Sequence, residues 1–240
     1  MKKICLLASV ALAMITSAKA QVQVGVMAGA NANNQIDHYT GQTTNNQLKV
    51  GFHAGGLVDF GITRNFSIQD GLMYIMKGGQ QEREFVNGGL VTQIKDKLTL
   101  SYIEMPLTFV YKIPAGSGRF MIGAGAYGAV CINANDKYKY QTKMDGTEVN
   151  AMAMEGGKDL TIGNDAGEQI KRLDFGATGM LGYQMHCGMF VKASADFGLY
   201  NIVNGNSTYG FAGTQPVTTV ADPTSKNQSF MLTVGYMIGH

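Results

Sequence analysis

The chain has no tryptophan, few prolines and, after its first twenty residues, no long apolar run. A transmembrane helix needs about 20 consecutive apolar residues, so the mature sequence predicts no helical span. Only β-strands closed into a barrel could then carry the chain across a membrane. Because tryptophan is absent, tyrosine and phenylalanine would have to form any aromatic belts at the membrane surfaces.

The N-terminus is typical of a cleaved export signal, with the basic segment Met1–Lys3 followed by the apolar segment Ile4–Ile15. We expect cleavage between Ala20 and Gln21, which leaves residues 21–240 as one domain because no linker divides them. Three lysines leave with the signal and no acid does, so the formal net charge changes from +2 to −1. The mature chain therefore has no basic excess that would favour nucleic acid.

Eight segments alternate large apolar residues with polar or small ones, the period of a strand with one apolar face. The clearest is Leu173–Tyr183, whose odd positions are mostly large and apolar. We predict strands at residues 22–30, 49–62, 65–77, 97–112, 119–132, 171–186, 188–200 and 227–238. Their connections alternate between long and short, which is typical of an all-β, eight-stranded antiparallel up-and-down transmembrane barrel with long extracellular loops and short periplasmic turns.

Aromatic residues fall at two heights on the proposed outer face. Phe52 and Phe60 are eight residues apart, and so are Phe66 and Tyr74; eight residues climb roughly 20 Å at a tilt of about 40°. This is close to the apolar band of about 25 Å between the two girdles of a membrane barrel. The predicted periplasmic girdle contains Phe60, Phe66, Phe109, Tyr111, Phe120, Tyr183 and Tyr236, and the outer girdle contains Phe52, Tyr74, Phe175, Phe197 and Phe230.

The predicted inner face carries charges between small residues. By alternation it holds His53, Asp59, Lys77, Glu104, Arg172, Asp174, Lys192 and Asp196. An eight-stranded barrel is only wide enough for side chains to fill it, and buried charges must be paired. We therefore predict a lumen plugged by ion pairs and hydrogen bonds.

No motif supports catalysis or a cofactor. His53 and Asp59 lie six residues apart on one strand, about 20 Å along it, so they cannot form an acid–base dyad. Hydrolase, metalloprotease and metal-ligand spacings are missing from the sequence. We expect no enzyme activity, no cofactor and no metal, and we interpret Lys77 and Glu104 as a structural ion pair.

Three further features follow from the predicted topology. Cys131 and Cys187 would lie at opposite ends of the barrel, too far apart for the Cα separation of about 4.4–6.8 Å in a disulfide, so both should be free. Asp70 falls on the lipid-facing side, which a bulge or a position near the interface would explain. The segment Asn133–Ile170 is long enough for recognition, although a variable surface loop is an equal alternative.

Six blocks resemble the PorT-like outer-membrane β-barrel family of the Bacteroides group, in order and over nearly the whole mature chain. They are Gly71–Gly79, Tyr102–Leu107, Phe120–Tyr127, Asp174–Tyr183, Gly198–Ile202 and Val234–Tyr236. The resemblance implies an outer-membrane barrel and, for the namesake of the family, an association with type IX secretion. The chain departs from the family at its end, because His240 stands where family members finish on an aromatic residue.

The sequence thus predicts a structural or surface-interaction scaffold in the outer membrane of a Gram-negative bacterium. Its expected partners are outer-membrane lipid and, through the loops, other envelope proteins or surface ligands. The alternatives are an accessory component of secretion, a membrane-embedded enzyme, and a soluble lipocalin-like binder whose apolar face would point inward.

Overall fold

The computed structural model describes residues 22–39, 42–45, 47–87, 90–144, 147–148, 154–165, 167–204 and 224–238. The predicted signal, with its cleavage site at Ala20 and Gln21, lies outside these residues. The strands are β1 Val22–Tyr39, β2 Gln42–Asn45, β3 Lys49–Gly61, β4 Phe66–Lys77, β5 Gln80–Asn87, β6 Leu90–Ala115, β7 Gly118–Met144, β8 Thr147–Glu148, β9 Met154–Asp159, β10 Leu173–Met185, β11 Met189–Gly198 and β12 Thr224–Ile238. Within the described ranges, no helix is long and apolar enough to span a membrane.

Eight of these strands form a closed ring in the order β1, β3, β4, β6, β7, β10, β11 and β12. All neighbours are antiparallel, and the pairing of β1 with β12 closes the barrel. The predicted eight-stranded antiparallel barrel is therefore confirmed. Because side chains alternate along each strand, one face of every strand points to the interior and the other to the outside.

Three tight connections lie at one end of the barrel, which we call the turn end. They are the bend at residues 62–65, the turn at 116–117 and the turn at 186–188. Gly116 (φ 58°) and Gly188 (φ 91°) adopt the left-handed backbone that glycine accepts without strain. The opposite end is called the loop end.

The prediction of loops at residues 31–48, 78–96 and 133–170 is wrong in part, since all three segments contain strand residues. The β6–β7 hairpin passes a bulge at Ser101/Tyr102 and continues to the pair Leu90↔Met144. Its upper part pairs with β5 on one side and with β9 on the other, forming what we call the loop-end sheet. These strands were not predicted because their outward residues are polar. They therefore lack the outward apolar residues by which a membrane-spanning strand is recognised in a sequence.

A cluster of apolar side chains, which we call the cap, lies at the loop end. Leu98 and Leu100 on β6 are fully buried in one core cluster with Ile170, Ile202 and Val203 from the connecting segments. Backbone hydrogen bonds tie these segments down, including Lys171 N–H to the carbonyl of Ile202 at 2.7 Å. The burial of these five apolar side chains stabilises the connecting segments on the inner side of the loop end.

Candidate functional site

The outer face of the barrel is apolar, and its aromatic side chains meet their neighbours across strands. Near the turn end, the ring centroids of Phe66 and Phe109 are 6.3 Å apart, and those of Phe120 and Tyr183 are 5.1 Å apart. Near the loop end, the corresponding distances are 5.5 Å for Phe52 and Tyr74 and 6.3 Å for Phe197 and Phe230. Phe120 and Tyr183 lie directly opposite each other, and the other three pairs are diagonal neighbours on adjacent strands. Aromatic side chains reach across such diagonals, so the two rings of each pair lie at a similar level of the barrel.

All the predicted girdle residues lie on this outward face. Phe60, Phe109, Tyr111, Phe120, Tyr236, Phe52, Phe175, Phe197 and Phe230 are exposed, and Phe66, Tyr74 and Tyr183 are partly exposed. Two hydroxyls are satisfied within the wall: Tyr74 donates to Ser101 Oγ at 2.9 Å and Tyr183 to the carbonyl of Ala115 at 3.0 Å.

Inside the barrel, four strands bring one lysine against three carboxylates. We call this group the Lys77 cluster. Lys77 Nζ on β4 lies 2.6 Å from Glu104 on β6, 3.7 Å from Asp174 on β10 and 3.8 Å from Asp196 on β11. All four side chains are at most 1% exposed. In so little water the attraction between these ions is strong, and so is the cost of losing one partner.

Two tyrosines and an asparagine complete the surroundings of the Lys77 cluster. Lys77 Nζ lies 4.0 Å from the centre of the Tyr127 ring, within the range of a cation–π contact. Asn227 donates to Asp174 at 2.9 Å and to the hydroxyl of Tyr102 at 3.2 Å. A Cβ at Gly176 would lie 2.8 Å from the Tyr127 ring, so the absence of a side chain at this position makes room for the ring.

A second group of charges, which we call the Lys112 pair, lies nearer the turn end. Lys112 Nζ on β6 is 2.8 Å from Asp59 on β3. The same carboxylate accepts hydrogen bonds from Gln69 at 2.6 Å and Ser67 at 3.2 Å, both on β4. One cation and two neutral donors thus surround one acid, which is the arrangement a buried carboxylate requires.

His53 belongs to a different network from Asp59. Its Nε2 lies 2.9 Å from Thr233 Oγ1 and its Nδ1 3.4 Å from Asn31 Oδ1. Asn33 joins this network, since Asn31 and Ser229 both donate to its side-chain oxygen at 2.8 Å. The two residues therefore make no dyad, in agreement with their spacing on β3.

The assignment of Arg172 to the lumen is wrong. Arg172 is exposed and donates to the carbonyl of Ile162 at 3.4 Å, because it precedes β10 and lies in the connecting segment. Lys192 is on the inward face of β11, four residues from Asp196. Lys112 was missed, although continuing the alternation of Glu104 and Thr108 to the end of β6 would have placed it inside.

Asp70 lies on the outward face, but neither proposed explanation holds. The register of β4 with each neighbour is the same on both sides of Asp70, so no bulge redirects it. It is four residues from Phe66 and four from Tyr74, midway between the two aromatic levels. The strand therefore presents a carboxyl group at the middle of the apolar face.

The interior is narrow at its middle and wider at the turn end. The cavity between the Lys77 cluster and the Lys112 pair measures about 30 Å³ and is lined by Gln69, Lys192 and Asp196 among others. Water needs only about 10–15 Å³, so the space suits one or two molecules. A second cavity of about 560 Å³ opens at the turn end beside Gln23, Arg119 and His186.

Cysteines and metal ligands add no further site. Cys131 is buried and Cys187 exposed, and both are free thiols. Among the residues that the structure describes, no group of three or more histidine, cysteine, aspartate or glutamate side chains could hold a metal ion.

Comparison with known proteins identifies the family. Residues 16–204 match the model of the outer membrane protein β-barrel domain family. The chain belongs to this family. Its location is the outer membrane of a Gram-negative bacterium. No curated protein matches the chain.

The outer-membrane barrel is also similar to solved structures. It is 12% identical to the attachment invasion locus protein Ail of Yersinia pestis, with a TM-score of 0.39 and coverage of 91% of this chain and 99% of that one. It is 11% identical to OprG of Pseudomonas aeruginosa, with a TM-score of 0.44 and coverage of 92% of this chain and 98% of that one. It is 9% identical to the Neisserial surface protein NspA, with a TM-score of 0.38 and coverage of 90% of this chain and 97% of that one.

Proposed function

We propose that this outer-membrane barrel is a non-catalytic surface scaffold whose loop-end sheet takes part in interactions outside the cell. The observation that carries the proposal is the β6–β7 hairpin, which continues past the bulge at Ser101/Tyr102 from the barrel wall into the loop-end sheet. A sheet that shares its strands with a closed barrel is held rigidly, so binding to it costs little ordering entropy.

The proposal includes a closed lumen, and three features support it. The Lys77 cluster joins four strands across the interior. The cavity beside it holds about 30 Å³, and the cap of apolar side chains covers the loop end. Ions would have to cross both a network of fixed charges and a layer of packed apolar side chains, each of which opposes conduction.

The absence of catalysis is also part of the proposal. His53 and Asp59, the residues with acid–base chemistry on one strand, are engaged in separate networks. Glu104 is fully buried in its ion pair with Lys77, where a substrate cannot reach it. The polar groups of the interior are thus used to satisfy one another.

Labelling with a membrane-impermeant maleimide on intact cells tests the orientation of the scaffold. We expect the variant Lys139→Cys, in the exposed part of β7, to be labelled from outside. Wild-type Cys187 serves as the matched control, since it lies exposed at the turn end and should react only after the cells are lysed. Labelling of Cys187 on intact cells would contradict the proposal.

Conductance in planar bilayers tests the closed lumen. The purified barrel should give no steady channel current, while a porin inserted under the same conditions gives one. A steady current from folded protein, verified by heat-modifiable gel migration, would show an open lumen and would contradict this part of the proposal.

An accessory role in protein secretion is the second candidate function, and the PorT-like blocks favour it. The assignment to the PorT-like branch stays a prediction. Chemical cross-linking in cells followed by purification of the barrel would show stoichiometric secretion components if this role is correct.

A further inference from the structure

The cavity at the turn end, which we call the mouth cavity, extends between opposite sides of the barrel. It measures about 560 Å³, a size that suits a small organic ligand. Gln23 on β1 and Arg119 on β7 both line it, and these strands are four positions apart in the ring of eight. Arg119 is two residues from the buried Met121 on the same strand, so it lies on the inward face.

Five residues with polar side chains line the mouth cavity, and the protein itself uses none of these side chains. They are Gln23, Ser117, Arg119, Gln184 and His186. Within the described ranges, no hydrogen bond or ion pair engages any of the five side chains. The charge clusters deeper in the lumen differ, because their polar groups bond to one another. Hydrogen-bonding capacity is therefore left over at the turn end.

Gln184 is the most informative of these residues, because it is only 9% exposed. It lies directly opposite Arg119 in the pairing of β10 with β7. A buried amide without a hydrogen-bond partner costs free energy, and such groups are rare in folded proteins. Since Gln184 lines the cavity, a molecule that enters it can supply the missing partner.

The mouth cavity also has a surplus of positive charge. In the described part of the chain, Asp59 is the only acid on the inward face of the turn end, and it is paired with Lys112 at 2.8 Å. Arg119 has no carboxylate within 4.0 Å among the same residues. Because an arginine side chain stays ionised at every ordinary pH, this surplus favours an anionic ligand.

The two opposed side chains favour a carboxylate that is joined to an amide. A guanidinium group binds a carboxylate through two parallel hydrogen bonds. A side-chain amide has both donors and an acceptor, which are the groups that a peptide bond requires. A peptide with a free C-terminus carries a carboxylate and a peptide bond side by side, and capture of this end is a general mode of peptide recognition.

We propose that the mouth cavity binds the C-terminal carboxylate of a peptide or protein. The carboxylate accepts hydrogen bonds from Arg119, while Gln184 donates to and accepts from the last peptide bond. Gln23, on the opposite side, is available to residues further along the peptide. The inference rests on the proposed function in one respect, namely that the turn end faces the periplasm, from which the peptide would come.

Binding of acetyl-trialanine to the purified barrel in detergent, measured by isothermal titration calorimetry, tests this proposal. Arg119→Gln should weaken binding about 30-fold, because hydrogen bonds between charged groups are lost. Gln184→Leu should weaken it about fivefold, because neutral hydrogen bonds are lost. The C-terminal amide of acetyl-trialanine should bind the wild-type barrel as weakly as the free acid binds Arg119→Gln.

Arg64→Gln is the matched control for Arg119→Gln. Arg64 lies in the bend at residues 62–65, at the same end of the barrel but outside the mouth cavity. The two variants lose the same charge, and Arg64→Gln should change the affinity less than about twofold because the charge is screened by solvent. Heat-modifiable gel migration verifies folding, and Gln23→Leu, with an expected loss of about threefold, replaces Gln184→Leu if that variant does not fold.

Three results would overturn the assignment. They are equal losses in Arg64→Gln and Arg119→Gln, unchanged binding in Arg119→Gln, and displacement of acetyl-trialanine by acetate at equal concentration, which would show an adventitious anion only. Labelling of Cys187 on intact cells contradicts the proposed function whatever the titration shows. The expected labelling together with equal affinities for acetyl-trialanine and its amide contradicts only this inference.

Discussion

The Lys77 cluster and the Lys112 pair solve the same problem, a buried carboxylate inside a narrow barrel, in different ways. In the first, three carboxylates converge on one ammonium group. In the second, one carboxylate receives one ammonium group and two neutral donors, Ser67 and Gln69. The first cluster joins strands from around the barrel, whereas the second joins the three adjacent strands β3, β4 and β6.

The difference shows how dependence on a single residue arises in a barrel interior. Removing Lys77 would leave three acids without their common cation, and Glu104 would lose its 2.6 Å partner. Removing Lys112 would leave Asp59 with two hydrogen-bond donors. Buried charges that share one partner are therefore more vulnerable than a charge with several partners.

The largest expected effect comes from Lys77→Met. Breaking a buried ion pair on one side costs about 3–5 kcal/mol because the remaining charge is left uncompensated. We expect a loss of this size in the free energy of unfolding, measured by urea titration in lipid vesicles with the gel shift of the folded barrel as readout. Adding Glu104→Gln should restore part of the loss, and a loss below about 1 kcal/mol in the single variant would contradict the comparison.

A smaller effect is expected from Lys112→Met. Asp59 keeps its bonds from Ser67 and Gln69, so the loss should be about 1–3 kcal/mol in the same titration. The two methionine variants remove the same group and introduce the same side chain, so each is the control for the other. If Lys112→Met destabilises the barrel as much as Lys77→Met, the number of hydrogen-bond donors around a carboxylate does not decide how much stability is lost with its lysine.

The smallest expected effect has the opposite sign and concerns Asp70. Among the described residues, no lysine or arginine lies within 4.0 Å of this carboxyl group, which is on the outer face. Charged groups on the lipid face destabilise a barrel, acids less than bases, so Asp70→Leu should raise the free energy of unfolding by about 1 kcal/mol. A destabilisation would show that Asp70 has a favourable contact in the membrane.

Particular residues show how far the sequence predicted the site. Alternation assigned Lys77, Glu104, Asp174 and Asp196 to the inner face, where the structure places them, because the direction of a side chain depends only on its own strand. Arg172 was assigned wrongly, since the exact start of β10 depends on hydrogen bonds to β7 rather than on local pattern. Lys112 is different, because it continues the alternation of Glu104 and Thr108 within the predicted strand and the sequence alone was enough to place it inside.

The sequence by itself determined the eight barrel strands and their apolar face, because a period of two residues is a local property. It also predicted no helical span in residues 21–240, and it showed that tyrosine and phenylalanine must supply the aromatic levels because tryptophan is absent. Only the tertiary structure decided which charges meet, since ring closure and register bring Lys77 to Glu104, Asp174 and Asp196 from distant parts of the chain. The cap and the opposed residues Arg119 and Gln184 also depend on pairing between strands, which no single strand encodes.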